Sequence, residues 1–448
     1  MLVFLSSLFF LNFLNFKKSN VWYLSVWVLF FLSFSIILNF YSYMGVMKMN
    51  WCFMMDEMSC CLAVLSCWIS ALMIMSSSQV LKYKSSVNFF LFSVMILNLL
   101  IVLVFSQKNL FLFYIFFESS LIPTLLLILV WGYQPERLQA GMYMIIYTVL
   151  GALPFLLLIF MLFKFNGHLS MILPIDIPVS FNKGLSNLWW LGMMMVFMIK
   201  LPLYGVHLWL PKAHVQAPVA GSMILAGLLL KLGGYGVIRL VMMFGDYKFF
   251  INEFFVSLSL VGGLISSLIC IRQSDMKSLI AYSSVAHMGI MMVGVLSGSE
   301  LGVKMGLLMM IAHGLCSSGL FSSGNMLYEK ISSRSLFSLQ GFICFSPNFS
   351  LWFFLLCVTN MAAPPSLNLL SEIGLIISSL FFSKILILFI GLMSFSVAVY
   401  SLMLFVSTQH GDAPVYMNPV SCFYSINYVV LFAHWFPVQL MIFMGSSI

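Results

Sequence analysis

Hydrophobic positions in this chain come in long unbroken blocks, separated by short stretches where Lys, Arg, Asp, Gly and Pro collect. Blocks of about 20 apolar residues cross a bilayer as helix. Backbone polar groups in hydrocarbon must pair within the structure, which leaves only helices or a closed barrel. Barrel strands would show alternation over about 10 residues. The blocks here do not alternate, so they read as helices. Fourteen stretches qualify: 2–16, 21–43, 57–78, 86–106, 109–131, 140–163, 187–208, 219–243, 252–272, 278–297, 302–328, 350–379, 384–407 and 423–446. The predicted fold class is an all-α membrane protein. The longest loop, 164–186, holds Pro174 and Pro178 and is too short to fold as a soluble catalytic domain.

Composition agrees with that pattern. Hydrophobic residues make up 62% of the chain and charged residues 7%, against about 25% charged in soluble domains. The net charge of +8 is spread singly or in pairs between the blocks. A nucleic-acid binder would cluster it, so nucleic acid is not an expected partner and the lipid bilayer is. No Gly-rich phosphate loop of Walker type is present. The nine cysteines fall mostly within spans, with no metal-ligand spacing, and read as buried small hydrophobes. The N-terminal run MLVFLSSLFFLNFLNFKK is apolar before it is basic, the reverse of a secretory signal. It reads as a retained span whose Lys17 and Lys18 mark its far end. Loops opposite the termini carry a small excess of basic residues, which the positive-inside rule reads as termini facing outside.

Two spans are interrupted by proline. Pro202 closely follows Lys200 in the seventh, and Pro364 and Pro365 stand together in the twelfth. Proline removes a backbone donor and clashes with the preceding turn. Broken helices at corresponding places in two halves point to an inverted-repeat transporter and its ion path; the bland alternative is two ordinary kinks.

Four charges inside spans then stand out: Glu118, Lys200, Lys231 and Glu372. Unpaired, they would oppose insertion by roughly 10–14 kcal/mol together, so pairing is expected. Burial disfavours a charge and a nearby opposite charge restores it. A Glu and a Lys placed this way can trade a proton as their partners change, whereas an arginine would stay charged. The alternatives are a static ion pair for Glu118 and a lysine reaching to the interface for Lys200. For Lys231, near the middle of its span, that reach is harder. Histidine titrates near neutrality and suits relay. His313 and His287 lie in the eleventh and tenth spans, and His207 and His214 flank the break after the seventh. A hydrogen-bonded core histidine is the competing reading for each.

These residues sit in recognisable surroundings. FYIFFESSLIPTLLLI, WGYQPERLQAG, KLPLYGVHLWLPKAHVQAPVAGSMILAGLLLKLGGYG, CIRQSDMKSLIAYSSVAHM, IAHGLCSSGLF and PPSLNLLSEI resemble the mitochondrial NADH–ubiquinone oxidoreductase chain 4 family. Its members are antiporter-like subunits in the membrane arm of respiratory complex I. The resemblance covers about residues 80–410 and is most specific over 200–236. It implies fourteen helices in a mitochondrial inner membrane: helices 1–3 in residues 1–80, a first antiporter-like repeat in 81–245, an inverted second repeat in 246–408, and a last helix in 409–448. It implies that Glu118, Lys200, Lys231 and Glu372 are the proton-channel residues. It also implies that other complex I subunits are the partners, above all neighbouring antiporter-like ones. FMN, iron–sulfur clusters and ubiquinone would be bound by other chains, with no cofactor or metal in this one. Gln216, in HVQAP, departs from the glutamate common in the family. Two other readings remain open on the residues: a stand-alone Mrp-type cation/proton antiporter, and a structural subunit that conducts nothing.

Overall fold

The computed structural model describes residues 2–11, 19–41, 48–49, 53–83, 86–173, 183–244, 250–412 and 423–443. Nearly all of these are helical. A two-residue ribbon, Lys48–Met49 against Met54–Met55, is an addition that the hydropathy pattern did not signal. Pro174, Pro178, Lys17 and Lys18 lie outside the described residues.

Among the described residues, ten helices are long and apolar enough to cross a membrane. Most apolar blocks map onto helices with shifted ends. The sixth block becomes Arg137–Asn166 and the eleventh Glu300–Ile331, of 30 and 32 residues. At about 1.5 Å per residue both outrun a hydrocarbon core of about 30 Å. The first block is described as helix only over Leu2–Leu11. The fifth is one span, Leu110–Trp131, interrupted at Ser120 between Leu110–Ser119 and Leu121–Trp131.

The chain divides into two compact units: Met1–Lys200 with Gln216–Asn252, and Leu201–Val215 with Glu253–Ile448. In the first, Val219–Met243 is 94% buried along its apolar window, whereas Arg137–Asn166 is 33% buried. In the second, Met276–Leu296 and Glu300–Ile331 are likewise 94% buried. Peripheral helices expose Leu150, Leu157, Phe381 and Phe395, as side chains solvated by lipid do. The deeply buried helices carry Lys231, His287 and His313.

Small residues set the helix spacing, because lipid gives apolar helices little reason to prefer one another over it. Gly289, on Met276–Leu296, faces Ile251–Ile271 so closely that an added Cβ would lie 2.8 Å from the Ser259 carbonyl oxygen. That oxygen is backbone and cannot swing away. Gly289→Ala is expected to destabilise the protein by about 1–3 kcal/mol, read as a lower unfolding temperature of the solubilised protein. Wild-type unfolding would show that the helices can part freely here.

Both proline interruptions are real breaks. After Lys200 the chain leaves helix over residues 201–208 and resumes as Trp209–Gln216, with Gly205 at φ +98° turning the corner. After Asn360 it leaves helix again and resumes as Leu367–Phe382. Asn368 Nδ2 donates to the Thr359 carbonyl at 2.6 Å and ties the two halves together.

Candidate functional site

In the first unit, Lys200 is the last residue of Lys183–Lys200. The final carbonyls of a helix lack intrahelical partners and carry partial negative charge, so a cation belongs there. Its side chain is 2% exposed. Nζ donates to the Phe117 carbonyl at 3.5 Å and lies 3.9 Å from the Phe117 ring centroid. That carbonyl belongs to the residue before Glu118. Glu118 itself is half-buried near the interruption at Ser120, and its Oε1 is buried without a hydrogen bond. Glu118 and Lys200 act on each other electrostatically, yet no ion pair within 4 Å joins them among the described residues. The expected pairing therefore takes a looser form: a carbonyl and an aromatic face hold the ammonium beside the carboxylate.

Lys231 is fully buried. Its Nζ donates to the Ala226 carbonyl at 2.6 Å, five residues back in the same helix. Residues Leu225–Leu229 form a π-helical turn, a wide turn that recurs at functional sites. It gives the lysine a local partner where a regular helix would point it past its own backbone.

Gln216 Nε2 donates to Glu136 Oε2 at 3.0 Å. The family departure noted at Gln216 thus falls in a hydrogen bond to a carboxylate of WGYQPERLQAG. Arg239, another in-span cation, pairs with Asp56 (Nη2–Oδ2 2.5 Å) and donates from Nε to Tyr235 Oη at 2.9 Å.

In the second unit, Glu372 is on the second half of the broken helix and is 7% exposed. Its Oε1 stands 3.5 Å from His287 Nδ1. Neither atom has a hydrogen bond, so this is a close approach rather than a made bond. The His287 and His313 ring centroids are 5.5 Å apart. Three of the expected relay residues, from three different spans, therefore meet. His207 and His214 do not join them. His207 stacks on Tyr204 at 4.8 Å, and its Nδ1 accepts from the Gly205 N–H at 3.3 Å. His214 lies flat on Phe321 at 4.6 Å.

Sequence reasoning missed Phe117, Ala226 and Asn368, whose contributions come through backbone atoms, a ring face or a neutral amide. It also placed Lys277 among loop cations by starting the tenth span at 278. The helix begins at Met276, and Lys277 is 1% exposed.

A buried lysine at a helix break beside a carboxylate, a second lysine buried in mid-span, and histidines beside a buried glutamate are features expected of an ion-translocating membrane protein. Comparison with known proteins agrees: residues 107–437 match the transmembrane family described as NADH:quinone oxidoreductase/Mrp antiporter. Residues 1–106 match the amino-terminal family of NADH-ubiquinone oxidoreductase chain 4. Proteins of that name from Ceratitis capitata and Locusta migratoria are 46% and 44% identical to this chain. The alignments cover 99% of this chain and 96% of the first relative, and 95% of this chain and of the second. A chain of respiratory complex I from Thermus thermophilus with bound NADH superposes with a TM-score of 0.80 at 22% identity, covering 93% of this chain and 91% of that one. The chain belongs to the NADH-ubiquinone oxidoreductase chain 4 family.

Proposed function

We infer that this chain is a core membrane-arm subunit of respiratory complex I in the mitochondrial inner membrane, and that it carries protons across it. The driving reaction is NADH-to-ubiquinone electron transfer in other subunits, which bind the FMN, iron–sulfur clusters and quinone. This chain performs no redox chemistry and needs no cofactor of its own. The reading includes fourteen helices, with 1–80 as an N-terminal trio, 81–245 and 246–408 as inverted repeats and 409–448 as a closing helix.

The observation that carries it is the Lys200 site. An ammonium at a helix break, held by a carbonyl and a ring beside a carboxylate that is not in contact, can change state cheaply. A shift that brings Glu118 closer favours the charged lysine, and one that withdraws it releases the proton. From Lys200 the proton passes to Lys231, then by histidines and water to Glu372, which exchanges with the opposite side. Net transfer runs from matrix to intermembrane space. Family membership favours this reading over a stand-alone Mrp-type antiporter, and a static structural role leaves the loose Glu118–Lys200 arrangement without purpose.

Glu118→Gln keeps the shape and removes the charge. In the assembled complex in sealed vesicles it should lower proton uptake per NADH oxidised, with assembly intact. Unchanged stoichiometry in that variant would remove Glu118 from the path.

A further inference from the structure

His287 has a second neighbour that no motif signalled. Tyr400, on Leu386–Gln409, is fully buried, and its Oη lies 3.4 Å from His287 Nε2. Tyr400, His287 and Glu372 therefore form a line: hydroxyl to Nε2, and Nδ1 to carboxyl at 3.5 Å. Ser283, on the same helix as His287, lies beside Tyr400. The Ser283 hydroxyl donates to the Ile280 carbonyl at 2.7 Å, so its oxygen is left to accept.

Imidazole has two distinct nitrogens, and the partner of one decides what the other can do. A tyrosine hydroxyl both donates and accepts, and it rotates. With its hydrogen turned to Ser283, Oη accepts from His287 Nε2–H. Nδ1 is then bare toward Glu372 and can take that residue's proton. The imidazolium so formed keeps Oη as the acceptor for its Nε2–H. With the hydrogen turned to Nε2 instead, Nδ1 carries the ring proton and faces the Glu372 carboxylate as a donor. Rotating one hydroxyl switches His287 between receiving from Glu372 and donating to it. The step itself is balanced: one O–H bond breaks at Glu372, one N–H bond forms at Nδ1, and the charge moves from neutral pair to carboxylate–imidazolium pair.

We propose that Tyr400 is a positioning residue of the proton path, setting through its hydroxyl which nitrogen of His287 faces Glu372 bare. This rests on the proton-carrying reading above. The titratable groups facing the Tyr400–His287 pair are Cys270 from the ninth span, His313 and Cys316 from the eleventh and Glu372 from the twelfth. None but Tyr400 has a hydrogen-bond contact with His287 Nε2 among the described residues.

The test compares Tyr400→Phe, Ser283→Ala and His287→Gln in assembled complex in sealed vesicles, reading proton uptake per NADH across pH. In Tyr400→Phe the imidazolium loses its acceptor, and the alkaline limb of proton uptake should move to lower pH by about one unit. Ser283→Ala leaves His287 as the acceptor for the tyrosine hydrogen, holds Nδ1 protonated, and should lower uptake at every pH without moving the limb. A wild-type profile in Tyr400→Phe, alongside a loss in His287→Gln, overturns the role of Tyr400. A wild-type profile in His287→Gln overturns the underlying path through His287 instead. Uptake lost from Tyr400→Phe in proportion to lost assembly, with normal uptake in Ser283→Ala, would make Tyr400 merely structural and also overturn the proposal.

Discussion

Lys231→Met is expected to abolish proton uptake by this subunit while leaving the assembled complex present in the membrane. The side chain is fully buried, and its ammonium is anchored on the Ala226 carbonyl within the π-helical turn. Methionine matches its length and apolar stem, so packing changes little. What is lost is the only charge-bearing group that residues 219–243 place at that depth, Arg239 being held by Asp56 two turns further along. A proton crossing that stretch would then be uncompensated by about 2.5–3.5 kcal/mol, which is on the order of a hundredfold in rate. Lys231→Arg decides between two roles for the charge. Arginine keeps it but cannot release a proton. If only the field of a cation matters, arginine restores pumping; if the group must titrate, both variants fail. Measuring NADH-driven proton uptake in the two variants, normalised to assembled complex on native gels, separates these outcomes. Wild-type uptake in the methionine variant would sink the channel assignment altogether.

Much of this site was legible in the sequence because charge inside hydrocarbon is conspicuous. Glu118, Lys200, Lys231 and Glu372 announce themselves by residue type alone, and the prolines locate both breaks. The contacts were not legible, for physical reasons. Lys231 finds its carbonyl through a π-turn, and LAGLL carries nothing that distinguishes that turn from regular helix. Lys200 is held by a backbone oxygen and a ring face of Phe117, where the sequence led us to expect a carboxylate contact. The meeting of His287, His313, Glu372 and Tyr400 depends on how four spans pack. Tyr400 in SVAVYSLMLF reads like any apolar-span aromatic. Lys277 was misplaced because a helix start was set two residues late, and in a membrane helix two residues separate a loop cation from a buried one.

Asp56 shows the same limit and gives the larger structural prediction. In sequence it is the polar residue just before a span, an ordinary helix-capping position, and its N–H does accept the local arrangement by donating to Ser59 Oγ at 2.7 Å. Its carboxylate, however, reaches Arg239, which is 7% exposed and also bonded to Tyr235, whose hydroxyl donates to the Phe105 carbonyl at 2.9 Å. One network thus ties the start of Glu57–Ser76 to Val219–Met243 and to the end of Val87–Phe105. Asp56→Ala strands a buried guanidinium, a loss of about 3–5 kcal/mol, and should lower the unfolding temperature of the solubilised protein well below that of any surface variant. Replacing both partners with apolar residues of similar volume removes the stranded charge, and such exchanges are often neutral. Asp56→Leu with Arg239→Met is therefore expected to recover most of the stability lost in Asp56→Ala. If the double variant is as unstable as the single one, the network acts through Tyr235 and Phe105 rather than through the ion pair. If Asp56→Ala unfolds like wild type, water reaches Arg239 and the pair contributes little. Either way the measurement bears on the helix that holds Lys231, since Arg239 and Lys231 are eight residues apart on it, about 12 Å along the axis. A helix pinned at Arg239 keeps Lys231 at a fixed depth, which the proposed proton path requires of a group whose charge comes and goes.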